Sequence, residues 1–279
     1  MRATASASNA ILQVIFILGG NGFVGSAFAR YCRRKALDFA VISRKNYDTY
    51  RGRPCEVLIN CNGNSVKHLS DQDELGDFHA SVQSVKASLL DFEYERYIHV
   101  STGEVYPDAS RPTTTREDQA FEIGEQTNYG FHKYLAEQCV RHSAPHWLIF
   151  RMGGFVGPGL GKNPIYDILA GSRLWVAKTS QLQYLDTDTT AHIVMSIADR
   201  GLSNDVFNLS GCGVVCLQDV IDDLDTIVTV DQAAPEVRAE ISITKISKYC
   251  DLPQSSEVVR LFADRFADGE LKLRSCGSA

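Results

Sequence analysis

"VIFILGGNGFVGSAFARYCRRK", residues 14–35, sets an apolar run, a glycine-rich turn and a helical pattern in immediate succession. The run reads as a buried first strand, residues 13–18. Gly19, Gly22 and Gly25 keep a G-x-x-G-x-x-G spacing. Such glycines permit a tight turn, let the backbone approach a pyrophosphate and let the helix pack closely on the strand. The helix N-terminus then faces the phosphates. A bare glycine triplet says little, but the strand before it and the helix after it supply the context that gives it meaning. Phe23 and Val24, inside the loop, are expected to touch the same dinucleotide.

The pattern repeats downstream. The strand "FAVIS" (39–43) ends at Ser43 and is followed by Arg44 and Lys45. A site specific for NAD usually sets an acid here to hold the ribose 2′-hydroxyl. Asp38 precedes the strand and Asp48 stands farther along, so no acid occupies its end. Arg44 could instead clamp a 2′-phosphate, which favours NADP(H) over NAD(H). A solvated basic turn would leave that preference undecided. Between Lys45 and Glu56 there is no room for a helical crossover and an added strand as well, so a truncated connection is expected. The strand 56–60 then ends in "NCNG", with Asn60 and Cys61 at the carboxyl edge. Residues 77–92 carry Phe78, Val82, Val85 and Leu89 at helical spacing. Strands at 96–100 and 146–151 follow. Alternating strands and helices over the first 150 residues predict an α/β fold, a doubly wound, Rossmann-like parallel sheet whose ligands bind over the carboxyl strand ends.

One of those ends reads "STGEVYP" (101–107), and the following helix opens with "NYGFHK" (128–133). Tyr129 and Lys133 are four residues apart, on one helix face. An unperturbed phenol ionises near pH ~10, too high for a proton shuttle at neutral pH. A neighbouring ammonium is expected to lower it. With the Ser101 and Thr102 hydroxyls at a facing strand end, the three groups make a workable unit. The phenol shuttles a proton, a hydroxyl polarises a substrate oxygen and the lysine tunes the phenol.

Composition narrows the classes. A chain with 44% hydrophobic residues, 22% charged residues and a net charge of −6 is an ordinary globular protein without the basic patch that nucleic acid needs. The eight cysteines form no C-x-x-C pair, which suits reduced thiols in a cytoplasmic protein. Cys212 and Cys216 lack a second ligand pair, and Pro145 interrupts the spacing of His142 and His146, so no metal is expected. His99, on an apolar strand, reads as a packed core histidine. The first residues have the outline of a signal peptide, but the glycine loop gives the apolar run its own use as a strand. Residues 1–10 then read as a disordered leader, and the run is too short to cross a membrane.

Taken together, the motifs resemble the extended short-chain dehydrogenase/reductase family, the nucleotide-sugar epimerases, dehydratases and reductases. "GGNGFVG", "VSTGEVYP", "NYGFHK", "FRMGGFVGPG", "LQYLDTDTTAHIV" and "VFNLSGCGVVCLQDVIDDL" follow in the family's order. The resemblance implies a triad of Thr102, Tyr129 and Lys133, with Lys133 also holding the nicotinamide ribose and Asn60 and Cys61 beside the cofactor. It implies an NADP-binding domain over 11–155 and a small substrate lobe over most of 156–279, with 182–210 returning to the sheet. Dehydratases of the family usually carry an Asp–Glu pair after the threonine. Here the pair reads Gly103–Glu104, leaving Glu104 as a lone base. The arginine of the family's "RDFIHVDD" is Gln183, which weakens the case for a diphosphate clamp. These departures are similar to the NADPH-dependent 4-keto-sugar reductases. The expected partner is a small molecule, a nucleotide sugar among the candidates, with neither nucleic acid nor membrane. A homodimer is an assembly open to the chain.

Overall fold

The computed structural model describes residues 14–274. The leader, the strand start at residue 13, the domain start at residue 11 and Cys276 lie outside the described residues. The chain begins with β1 (Ile15–Leu18), α1 (Gly25–Arg34), β2 (Phe39–Ile42), a single turn α2 (Tyr47–Tyr50) and β3 (Pro54–Asn60). The shortness of α2 is the truncated connection that the spacing predicts. Then come α3 (Lys67–Gln72), α4 (Glu74–Phe78), a π-helical turn (His79–Gln83), α5 (Ser84–Asp91) and β4 (Glu93–Thr102). The helical spacing read over 77–92 falls on a segment that is helical without interruption from Glu74 to Asp91. Residues 79–83 form a wider π-helical turn within it, between α4 and α5.

The chain continues through α6 (Asn128–Ser143), β5 (Trp147–Met152), β6 (Gly154–Val156) and α7 (Pro164–Leu169). Next are β7 (Gln181–Leu182), β8 (Tyr184–Asp186), α8 (Thr187–Asp199) and β9 (Asp205–Leu209). The last elements are β10 (Val215–Cys216), α9 (Leu217–Asp223), β11 (Arg238–Ala239) and α10 (Ser255–Ala267).

Six strands form one parallel sheet in the order β2-β1-β3-β4-β5-β9. A parallel sheet must be covered on both faces. Along β1, Ile15 and Ile17 enter the core beneath α1 and α8, while Phe16 and Leu18 enter the core beneath α5 and α6. Burial on both sides is why the opening run is continuously apolar rather than alternating. β1 lies between β2 and β3, so the loops after β1 and β3 flank the point where strand order reverses, where such sheets take their ligands. At the far edge of the sheet, Glu117 accepts the Asn208 N–H at 2.8 Å and Lys245 donates to the Val206 carbonyl at 2.8 Å. These contacts occupy backbone groups that an open strand edge would otherwise present.

A second core, including Val156, Ile165, Leu217 and Phe262, gathers α7, α9 and α10 with the short strands. There β7 lies between β10 and β11, and β6 pairs with β8. No helix among the described residues is long and apolar enough to cross a membrane.

Candidate active site

The glycine loop is built by close approach. Gly19 has φ +73°, a left-handed conformation that disfavours other residues, and Asn62 Oδ1 stands 2.8 Å from where its Cβ would be. A Cβ on Gly25 would collide with the Gly19 carbonyl, so α1 can start against the turn only as glycine. Gly22 donates to the Gly19 carbonyl at 2.9 Å. Helix α1 has no side-chain cap and no acid in its first turn. Its N-terminal amides therefore suit an anionic partner, and the residues present fit the phosphates of a dinucleotide. Phe23 packs against the second core, its ring centroid 6.4 Å from that of Phe155, and Val24 packs on the core beneath α1.

At the end of β2, the Ser43 N–H and Oγ both donate to Asn46 Oδ1, at 2.7 and 3.1 Å. Arg44 and Lys45 are exposed just beyond. Asp48 leans away from them toward Arg51 at 3.7 Å. Asn60 lies deeper than its expected place beside a cofactor. Its Nδ2 donates to Tyr97 Oη at 2.6 Å and Ser88 Oγ at 3.1 Å, and its Oδ1 accepts the Asn62 N–H at 2.8 Å. It shapes the loop from below. Cys61 follows at the strand edge, its carbonyl 3.1 Å from the Gly19 Cβ position, and burial pushes its thiol up to about 12. It is a neutral neighbour of the glycine loop.

Thr102 ends β4, and its Oγ1 accepts the Glu104 N–H at 3.2 Å, capping the turn 103–105. That turn rests directly on α6, because a Cβ on Gly130 would collide with the Glu104 carbonyl. Thr127 caps α6, accepting the Gly130 N–H at 3.1 Å. Gly130 thus brings Thr102 and Glu104 against the helix turn that carries Tyr129. Lys133 follows one turn on, its Nζ 5.5 Å from the centre of the Tyr129 ring.

Two expectations change. The phenol is not made more acidic: burial, then the Glu104 and Asp77 carboxylates, push Tyr129 well above the ordinary tyrosine value. Lys133 sits over the ring face, inside a space that costs it charge. Burial pulls its ammonium down to about 8, against the lift from Asp77 and with a further push from Lys162. The second change concerns Ser101. Successive strand residues face opposite sides, and Ser101 Oγ donates to Glu137 Oε1 at 2.6 Å inside the protein. Its hydroxyl serves a buried ion pair and does not join Thr102.

Several participants escape a reading of the sequence. Lys67 forms an ion pair with Glu104. Asp77 Oδ2 and His132 Nδ1 lie 2.7 Å apart, both side chains almost fully buried. Lys162 donates to the Ser65 carbonyl and to Ser65 Oγ, bridging the segment between β6 and α7 to the loop after β3. Gln183 is fully engaged: Nε2 donates to the Gly211 and Ile241 carbonyls at 3.3 and 3.2 Å, and Oε1 accepts the Ile241 N–H at 2.8 Å. Ile241 is thereby held over Gly103, its Cγ2 2.8 Å from the place of a Gly103 Cβ. Only the i,i+4 step from Tyr129 to Lys133 and the closeness of Glu104 to Thr102 are visible as short patterns; these other contacts join residues far apart in the chain. His99 is buried, and burial followed by the Lys133 charge pushes it down to about 3, so it is neutral.

The NAD-dependent epimerase/dehydratase family model matches residues 15–209. No curated protein matches the chain. Among solved structures, a UDP-galactose 4-epimerase superposes with a TM-score of 0.75 at 18% identity, over 92% of this chain and 99% of that one. The UDP-glucuronic acid 4-epimerase of Bacillus cereus, solved with UDP-glucuronic acid and NAD, gives 0.72 at 15% identity over 91% and 99%. DesIV, the dTDP-glucose 4,6-dehydratase of Streptomyces venezuelae, solved with NAD, gives 0.74 at 17% identity over 93% and 99%. These likenesses are likenesses of fold.

Proposed function

Since the chain belongs to the NAD-dependent epimerase/dehydratase family, we propose that it is a dinucleotide-dependent reductase of a ketone, with 4-keto nucleotide sugars as the substrate class. The observation that carries this reading is Ile241 seated in the place of a side chain at Gly103. Elimination of water calls for an acid beside Glu104, and no acid fits there without displacing Ile241. Ketone reduction needs one proton donor. Tyr129, held above the ordinary tyrosine value, is protonated at neutral pH and gives its proton to the carbonyl oxygen. Thr102 polarises that oxygen, and Lys133, charged below about pH 8, stabilises the phenolate left behind. A nicotinamide dinucleotide bound on the glycine loop supplies the hydride.

Tyr129→Phe tests the reading. It removes the proton donor and should lower kcat about 10²–10⁴-fold with cofactor affinity nearly unchanged. Full activity in the variant sinks the assignment.

For the cofactor we propose NADP(H), on the exposed Arg44 at an acid-free strand end. A charge-assisted contact with a 2′-phosphate is worth roughly 1.5–3 kcal/mol, so Arg44→Ala should weaken NADPH about 10- to 100-fold and leave NADH alone. Nicotinamide fluorescence titrations of both cofactors measure this; equal losses reduce Arg44 to a surface residue. A second reading, an epimerase that retains NAD, is favoured by the NAD found with the Bacillus cereus epimerase. Glu104 is then the added base, and NAD would be found on the purified protein.

A further inference from the structure

Lys133 carries a charge in a buried place and, among the described residues, forms no ion pair. Its Nζ lies against Gly63, where any side chain would collide with it, and Ser81 Oγ is 3.6 Å from the same Cβ position. Ser81 belongs to the π-helical turn and is buried. Its Oγ accepts the Asn64 N–H at 3.3 Å and donates to Asp77 Oδ1 at 3.3 Å. The other Asp77 oxygen meets His132 Nδ1 at 2.7 Å, and His132 is the residue next to Lys133 on α6. One polar cluster, Asp77–Ser81–His132, thus sits directly behind the Lys133 ammonium. Asp77 on α4 and Ser81 in the π-helical turn are joined to each other across one turn of the same helix.

We propose that Asp77 is a positioning residue of the site, a buried carboxylate clamped by His132 and Ser81 so that its charge keeps the Lys133 ammonium protonated. Burial pushes the Asp77 carboxyl up, but hydrogen bonds from His132, Asn64 and Ser70 outweigh it and hold it below the ordinary carboxylate range. The anion is therefore present throughout the neutral range. Two charges act on Lys133 in opposite directions. Asp77 on α4 raises its affinity for a proton, and Lys162 from the segment between β6 and α7 lowers it. His99 on β4 is neutral. Tyr129 presents its ring face, and Glu104 is taken up by Lys67. His132, on the same helix, is bound to Asp77 itself. Asp77 is thus the carboxylate left to act on Lys133. The same charge favours the neutral phenol of Tyr129, so one carboxylate supports both halves of the proton-donating form.

The inference rests on the reading of Tyr129 and Lys133 as the proton-transfer pair, and its test uses neither substrate nor turnover. Protein with isotope-labelled lysine is titrated from about pH 6 to about pH 11 by NMR, following the Lys133 side-chain nitrogen, assigned by its loss in Lys133→Arg. Asp77→Asn keeps the size and one of the two acceptor oxygens and removes the charge. It should make Lys133 at least about tenfold more acidic. His132→Asn keeps a donor on Asp77 and should leave the Lys133 titration within about threefold of the parent. An unchanged Lys133 in a folded Asp77→Asn protein overturns the proposal. So does an equal change in both variants, which would make the effect one of packing. If Tyr129→Phe kept full activity while the titrations came out as expected, the catalytic reading would fall and Asp77 would remain the tuning charge.

Discussion

Helix α6 carries two buried charges one turn apart, Lys133 and Glu137, and the protein treats them in opposite ways. Glu137 is met by Arg151 through three hydrogen bonds, from Nε at 3.1 and 3.3 Å and from Nη2 at 2.8 Å. Ser101 adds a fourth, and Arg151 Nη1 donates to Tyr106 Oη at 2.8 Å, which donates on to Asn208 at 2.9 Å. Burial alone would weaken the guanidinium charge, but Glu137 and Tyr106 outweigh it and hold Arg151 above its ordinary value. Lys133 lies against the Gly63 backbone and the Tyr129 ring, feels the Asp77 carboxylate at second hand, and its charge is weakened by burial. The lesson is that satisfaction separates scaffold from chemistry. A buried charge met by an opposite charge and bonded at each of its nitrogens is a fixed strut between β4, β5 and α6. A buried charge left under-satisfied can still change its state, which proton transfer requires.

The contrast can be broken at the strut. Arg151 is 2% exposed and Glu137 fully buried, so Glu137→Leu strands a guanidinium inside the protein. The expected loss is about 3–5 kcal/mol of unfolding free energy. Adding Arg151→Met should recover most of it, because two apolar groups need no partner. Urea unfolding measures both. A single variant as stable as the parent would show that water reaches Arg151 and that the strut is no strut.

Much of the fold is legible in the chain because its signals are local. The strand, glycine loop and helix of 14–35 stand next to one another, and the i,i+4 step from Tyr129 to Lys133 is fixed by helix geometry. What stays hidden depends on contacts between distant segments. Nothing near Gly103 announces that Ile241 fills its side-chain space, or that Gln183 is spent holding Ile241 there. Asp77 and His132 stand 55 residues apart, and neither segment announces that the two side chains meet inside the protein. The expected fall in the Tyr129 value failed for the same reason. Spacing placed an ammonium nearby, but burial, which no short motif encodes, dominates the phenol.

Ser101 is the residue on which the two regions compete. It stands beside Thr102 in the motif, and the sequence assigns both hydroxyls to the reacting oxygen. The structure gives the Ser101 hydroxyl to Glu137 at 2.6 Å and leaves it 5% exposed. Ser101→Ala therefore removes one hydrogen bond to a charged acceptor that still keeps Arg151. The expected cost is about 1.5–3 kcal/mol of stability, less than for Glu137→Leu because no charge is left alone. Turnover per folded molecule should stay within about threefold, whereas a hydroxyl that polarised the substrate would cost about 10²-fold or more when lost. Measuring the urea midpoint and kcat on the same preparation separates the two roles. A large fall in kcat with unchanged stability would move Ser101 back among the catalytic residues and turn the boundary between strut and chemistry by one strand position.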